Sequence, residues 1–518
     1  MLGLRKLRFV DVGTGLSMML GTASMLVAGA LSAADPQCAA PGNCCTQTAP
    51  ACCDGIFQDA AARLNGYYAG LSSEGCAAPA TPAPVCAPAA SGCASTAGGC
   101  AATAGCGSGS CFDKLTSLTL MDLFKDDCGN NALADNGWKL SGNLAQSYTA
   151  NWNNPSNRFN GPVTWTDRSN DYELNQFWLT LDRPTDTSKK DFDLGGRVDL
   201  LYGTNARLTT ESGLETPRLN SNGGLYGLAI PQFYVEAAYK KLKLKAGHII
   251  SPIGYFTVDT TQNFFNTIPY TYQWGEPFTH TGAWATYQFT DQFVVSSGLI
   301  RGWDNFDGHN GHLGNLTTWG YTFKDKSNLA QVIVASQEPN ANLQFTQRYY
   351  QSVVYTKPFD DNWTWVSQSD FGTQRNATYT GKTANWYGYN NYLYYKVNDK
   401  WTWGLNFEWW RDEEGFRVAG FLPGAAPSGI TGNASGVPLS QLAGGYNGNF
   451  WQTTFGPRWY PTGKPNFFIR PNLRYDWYTG NIDNGTQAFN AGVQNSKPFG
   501  DGNKSQQGIL ATDVCILF

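Results

Sequence analysis

Charge is scarce in this chain and histidine scarcer: 15% of its 518 residues are Asp, Glu, Lys or Arg, and only His248, His280, His309 and His312 carry an imidazole. Soluble domains average about 25% charged residues, so the composition does not make an ordinary solvated surface. Long apolar runs are missing as well. Beyond residue 34 no stretch approaches the ~18 apolar residues of a spanning helix, which excludes a helical membrane protein after that point. What is plentiful is aromatic and glycine: 14% Phe, Trp and Tyr, with 58 Gly and 18 Trp, at a mean hydropathy of -0.35. Rich in aromatics yet polar on average, the chain reads as all-β, either soluble or barrel-forming.

Residues 1–34 read as a secretory signal, with Arg5, Lys6 and Arg8 before a small-residue apolar core and Leu31-Ser32-Ala33 as a cleavage-type ending. An N-terminal anchor helix is the other reading. Loss of the leader takes three basic residues and Asp11 with it, so the net charge moves from -4 to -6 and no basic stripe remains for nucleic acid.

Cysteine is almost confined to one segment, 35–128, which marks a domain boundary before a 129–518 barrel region. Cys38, Cys44, Cys45, Cys52, Cys53, Cys76, Cys86, Cys93, Cys100, Cys106, Cys111 and Cys128 lie there, leaving only Cys515 downstream. Their Ala/Gly/Pro/Ser surroundings offer little to bury, so the extension is expected to be irregular and held by disulfides, within the chain or to envelope neighbours. A disordered spacer is the alternative. A metal site is disfavoured by the absence of CxxC and of any histidine in the segment. Thr116 to Lys125 reads as a short amphipathic helix or strand closing it.

From Gly137 onward the apolar residues alternate. One face of 192–202 is Phe192, Leu194, Gly196, Val198, Leu200 and Tyr202, against Asp193, Arg197 and Asp199; one face of 467–477 is Phe467, Ile469, Pro471, Leu473, Tyr475 and Trp477. A β-sandwich also alternates. The aromatic ends discriminate, because ten residues span about 33 Å along a strand, and a tilt of about 40° reduces this to about 25 Å, the height of the apolar band between the aromatic girdles of an outer-membrane barrel.

Sixteen strands can be placed, with 14 to 18 allowed because Phe416 to Phe421 could add one: 137–149, 172–181, 191–202, 230–240, 242–251, 281–289, 293–302, 316–324, 327–335, 347–356, 363–371, 385–395, 401–411, 448–460, 466–477 and 507–518. Long connections follow odd strands and short ones follow even strands, the pattern of outer loops and periplasmic turns. The expected fold is a transmembrane antiparallel up-and-down β-barrel. Its final strand ends on Phe518, similar to the C-terminal signature of bacterial outer-membrane barrels. The words Gly247-His248-Ile249-Ile250-Ser251-Pro252-Ile253-Gly254-Tyr255-Phe256 and Pro277-Phe278-Thr279-His280-Thr281-Gly282-Ala283-Trp284-Ala285-Thr286-Tyr287 resemble the β-barrel porin-2 (OmpL-like) family. That resemblance implies an outer-membrane, porin-like barrel.

An enzyme has little to work with here, since there is no GxSxG elbow and His280 stands between Thr279 and Thr281 at a loop end. Asp304-Asn305-Phe306-Asp307-Gly308 suggests a calcium loop, but Trp303 occupies a ligand register and the distal Glu is missing, so a solvated outer loop is expected and no cofactor or metal. On the polar stripes, Asp193, Arg197, Asp199, Glu236, Lys243, Lys245, Glu408, Arg470, Arg474 and Asp476 are expected to face a lumen, with Lys243/Lys245 and Arg470/Arg474 forming positive ladders. The long loop Pro252 to His280 carries Phe256, Phe264, Phe265, Tyr270, Tyr272, Trp274 and Phe278, too many aromatics for water. It is expected to fold inward as a constriction, with Asp259, Glu276 and His280 at the opening and the two acids facing the ladders. The functional expectation is a water-filled channel for small hydrophilic solutes or ions, in contact with outer-membrane lipid and as a homo-oligomer or disulfide-linked to neighbours. Two rivals are a structural or adhesive envelope barrel cross-linked through the Cys-rich segment and a soluble glycan-binding β protein.

Overall fold

The computed structural model describes residues 119–518 apart from 127–128, 157, 216–224, 308–310, 343, 379, 422–441 and 481–496. The leader, the twelve clustered cysteines and His309 lie outside the described residues.

Sixteen strands form one closed antiparallel ring. In chain order they are β1 (Lys139–Asn151), β2 (Asp171–Arg183), β3 (Phe192–Gly203), β4 (Gly227–Tyr239), β5 (Leu242–Ile250), β6 (Thr279–Thr290), β7 (Phe293–Ile300), β8 (Gly314–Thr322), β9 (Asn328–Pro339), β10 (Phe345–Pro358), β11 (Trp363–Gln374), β12 (Ala384–Asn398), β13 (Trp401–Asp412), β16 (Gly448–Trp459), β17 (Phe467–Thr479) and β18 (Gln506–Leu517). The segment containing Phe416 to Phe421 adds no wall strand. Its β14 (Ala419–Phe421) pairs only with β15 (Leu442–Gly445) as a separate two-stranded sheet. Every strand pairs with its sequence neighbours in the wall, and β1 closes the ring on β18 from Asn143↔Leu517 to Asn151↔Ile509. Phe518 continues that seam, its N–H donating to Gly142 O at 2.9 Å while Gly142 N–H donates to Phe518 O at 2.8 Å. A Cβ on Gly142 would lie 2.6 Å from the Phe518 ring and 2.7 Å from Trp178 O, so only glycine lets the last residue seat.

Period-two alternation decides which way each side chain faces. Along β17, Phe468, Arg470, Asn472, Arg474 and Asp476 are buried while Leu473 between them is 52% exposed. Outward Leu194, Val235, Leu244 and Leu510 are likewise more than half exposed. Each such side chain forgoes about 1.5–3 kcal/mol if left in water, so the outer wall is built for an apolar surround. Outward rings cap the stripes at both ends: Tyr148, Tyr172, Trp409 and Trp477 on the loop side, Phe289, Tyr355, Trp363 and Trp403 on the turn side.

Connections after even strands are short, as at Lys240-Lys241. The long–short contrast fails at one place, because β9 and β10 run further than the alternation suggests and leave only 340–344 between them. Ahead of the ring, Leu120–Phe124 forms a 3-10 turn on the turn side, tied down by Asn131 Nδ2 donating to Met121 O at 2.7 Å.

Because all ring hydrogen bonds lie within 139–518, a 129–518 fragment refolded from urea into detergent micelles is expected to give a β-type circular dichroism spectrum and a gel mobility that changes on boiling. An unordered spectrum with one mobility would reject an independent barrel.

Candidate functional site inside the barrel

The interior is organised by the connection 251–278 between β5 and β6, here called L3. Almost all of it is buried, and its partners are inward side chains on seven strands. An irregular segment leaves backbone groups without the regular partners that a sheet supplies, and inside the ring these must come from the wall. On β17 the Arg470 guanidinium donates to Thr260 O (2.8 Å) and Asn263 O (2.6 Å), and Arg474 Nη1 to Ile268 O (2.5 Å) and Thr267 Oγ1 (3.0 Å). Arg458 on β16 also reaches Asn263 O. On β13, Glu408 accepts Tyr270 N–H (2.8 Å), Thr271 N–H (2.6 Å) and Thr271 Oγ1 (2.7 Å). Across the ring, Gln176 on β2 donates to Val258 O at 2.6 Å and accepts Thr260 N–H at 3.0 Å. Gln368 on β11, Asn390 and Trp386 on β12 and Asn143 on β1 complete the set.

The aromatics of L3 pack on inward aromatics of the same wall. Phe256 lies 5.7 Å from Tyr392, Phe264 4.7 Å from Tyr394 and Tyr270 5.0 Å from Phe450, ring centroid to centroid. A further loop joins it, since Trp274 Nε1 donates to Pro162 O at 3.1 Å in 152–170, and just past its end Thr279 Oγ1 at the start of β6 donates to Glu211 Oε1 at 2.7 Å in 204–226.

The charged stripes lie on the inward face of the ring, but they do not form free positive ladders. Lys243 and Lys245 share Glu236 at 3.4 and 3.5 Å, because Glu236 stands directly opposite Lys245 in the β4–β5 register. Arg470 is paired with Asp513, its register partner on β18, and Arg474 with Asp476 at 2.8 Å. Arg197 pairs with Asp199 at 3.0 Å, and Asp193 with Lys190 at 2.7 Å. Nor do the acids of L3 face those bases. Asp259 caps its own turn, accepting Thr261 N–H at 3.0 Å and Asn143 Nδ2 at 3.2 Å. Glu276 lies beside a second carboxylate, and Gln368 Nε2 donates to both Glu276 and Asp370 at 2.7 Å. Burial, with Asp370 close by, pushes the Glu276 carboxyl well up from its ordinary value.

His280 belongs to β6 and not to the loop. Its Nδ1 donates to Gly302 O at 3.0 Å, leaving Nε2 to accept Ser251 Oγ at 3.2 Å. Ser251 N–H donates to Phe278 O at 2.8 Å, so the two ends of L3 are clamped together where β5 and β6 diverge. Gly247, at φ +136° with a Cβ position 2.4 Å from Phe233 O, permits the close approach of β4 and β5 beside this clamp. Asp304, expected on a solvated loop, is instead half-buried and accepts Phe278 N–H (2.8 Å) and Thr279 N–H (3.0 Å). The side chains that sequence reasoning passed over are neutral or paired ones: Gln176, Gln368, Asn390, Trp386, Arg458 and Asp513. All lie on polar stripes, and nothing in their spacing distinguishes a residue that grips a loop from one that meets water.

A closed sixteen-stranded ring with an apolar, aromatic-banded exterior and a polar interior is an outer-membrane β-barrel of the porin kind. Residues 137–518 match the family described as "Putative beta-barrel porin-2, OmpL-like", and the chain belongs to that family. Among solved structures it is similar to the outer membrane channel DcaP of Acinetobacter baumannii (11% identity, 76% of this chain and 99% of that one, TM-score 0.46). It is also similar to the anion-selective porin from Comamonas acidovorans (9% identity, 74% and 99%, TM-score 0.46) and to OprB of Pseudomonas putida (10% identity, 74% and 95%, TM-score 0.45). No curated protein sequence matches the chain.

Two measurements test how L3 is held. Removing one partner of a buried charge pair costs about 3–5 kcal/mol, so Arg470→Gln with Arg474→Gln should raise amide exchange across 260–268 at least tenfold while the ring stays closed; unchanged protection would mean that the arginines do not hold the loop. The second is pH dependence. Burial raises the Asp304 carboxyl to about 7 and the Glu215 carboxyl to about 7, above their unfolded values, and raises the Glu211 carboxyl as well. Carboxyls so shifted favour the packed loops when protonated, so the stabilisation is complete below about pH 4 and fades as pH rises through 7. Exchange of 204–215 and 301–307, corrected for intrinsic rate, should increase from pH 4.5 to 8, and Asp304→Asn should flatten the change. A pH-independent profile in the parent protein would contradict this.

Proposed function

We propose that this barrel is a passive channel for small hydrophilic solutes or ions across the outer membrane, narrowed by L3. The observation that carries the reading is a gradient of exposure among inward charges. The Arg197, Lys245 and Glu236 side chains on β3–β5 retain 25%, 16% and 11% of their accessible surface, whereas Arg470 and Arg474 beneath L3 retain 0% and 1%. In this reading water reaches Arg197, Lys245 and Glu236 on the β3–β5 side, while L3 is held against β11–β17 and, across the ring, against β1 and β2. A solute passing along the open side meets ion pairs, whose fixed and opposed charges suit polar cargo and repel apolar cargo. In this reading Arg197, Lys243 and Lys245 line the path, Glu408, Arg470, Arg474 and Asp476 position the constriction, and Glu276 sits on the constriction itself.

The dense packing of three loops inside the ring favours a second reading, a plugged barrel that anchors a cross-linked Cys-rich extension to the envelope. Planar-bilayer recording separates the two. The channel reading expects discrete conductance steps from the full chain, and a step at least twice as large when 257–278 is replaced by a short Gly/Ser linker. Absence of current from a folded barrel selects the anchor. Equal conductance before and after the replacement would remove L3 from the constriction.

A further inference from the structure

The outward stripes divide the ring into two arcs. On β13, on β16–β18 and onward through β1–β5, the mid-height outward side chains are mostly apolar, with Gln146, Thr453 and Thr512 as polar exceptions. Leu405, Phe455, Leu473, Leu510, Val198 and Leu244 are 40–57% exposed. From β7 through β12 the same stripe carries hydroxyls and amides on every strand: Ser297, Thr317, Gln331, Gln351, Ser369 and Asn391, with Asn315 and Ser367 beside them. These residues alternate with buried inward ones such as Val332, Val354, Val366 and Tyr392, so they face away from the lumen. They also lie within the membrane span. Gln351 falls between outward Tyr349 and Tyr355 on β10, and Ser369 between Trp365 and Phe371 on β11.

A polar group facing hydrocarbon is unfavourable unless it finds a partner, and this arc satisfies only half of its groups. Ser297 and Thr317 hydroxyls bond each other at 2.9 Å. The amide oxygens of Gln331, Gln351 and Asn391 accept from Trp319 Nε1 (2.8 Å), Tyr349 OH (3.0 Å) and Trp365 Nε1 (3.1 Å). Among the described residues no acceptor meets the three amide nitrogens, and lipid chains supply none.

We propose that the outer face of β7–β12 is the contact between copies of this chain, with the amide N–H groups of one copy bonding hydroxyl and amide oxygens of the next. The inference rests on the wall spanning the membrane and not on conduction. A second copy is the occupant because the patch sets donors and acceptors side by side and so complements itself. Its size agrees: six strands about 4.8 Å apart over a band about 25 Å tall cover roughly 700 Å², close to the ~800 Å² that each partner contributes to a stable complex.

The test places a photo-reactive benzoylphenylalanine in the full chain at Thr317 or Gln351, and for comparison at Leu473 or Leu194, followed by irradiation of intact outer membranes and electrophoresis under reducing conditions. The expected result is a band at twice the chain's mass from Thr317 and Gln351 alone. Equal bands from Leu473 and Leu194, no band from the polar arc of a heat-modifiable barrel, or an adduct with a protein of another mass would each overturn the proposal. In addition, combined Gln331→Leu, Gln351→Leu and Asn391→Leu makes the arc more compatible with lipid and leaves the interior untouched. It should raise the monomer fraction in detergent at least tenfold by light scattering, and an unchanged oligomer would reject the assignment.

Discussion

Everything in this molecule follows from the requirement that a backbone polar group away from water must find a partner. In the wall the requirement is met by sixteen strands whose ends meet, β1 against β18, so that the ring exposes no unpaired edge. In the interior it is met differently. L3 has no ladder of its own, and its carbonyls and N–H groups are taken up by Arg470, Arg474, Glu408 and Gln176, each presented by a neighbouring ladder that fixes its direction. The charges of the inner wall therefore serve two ends: under L3 they replace a sheet, and on the β3–β5 side they balance one another.

This division explains what could be read from the sequence. The strands are legible because lipid outside and polar groups inside impose period two on every wall segment, and aromatic bands mark where each segment stops. Placement to within a few residues follows from that pattern alone. The apparent basic ladders show the limit. Spacing along β5 puts Lys243 and Lys245 on one face, yet it is the register with β4 that brings Glu236 opposite Lys245. Likewise Arg470 finds Asp513 only because the last strand closes beside β17. Register is a relation between strands, and one strand's periodicity does not contain it.

The interior was less legible for a related reason. The aromatic content of L3 argues against water around it, and the loop is buried against Tyr392, Tyr394 and Phe450. Its individual partners could not be named, since the contact between Arg470 and Thr260 joins residues 210 positions apart. Asp304 was misplaced for the same cause: a short acidic run after a strand looks like a solvated loop until the end of L3 is brought beneath it. The two stretches that carry the family resemblance form the clamped ends of L3, where Gly247, Ser251 and His280 have geometric duties.

The seam between β1 and β18 also sets a temporal order. Residues near 143 must wait for residues near 517, and until the final strand has arrived the earlier ones form a curved sheet with two open borders and an oily back. Such an intermediate would recruit any strand that reached it. Closure by the final strand is thus the step that hides both borders at once, and no earlier pairing can substitute for it.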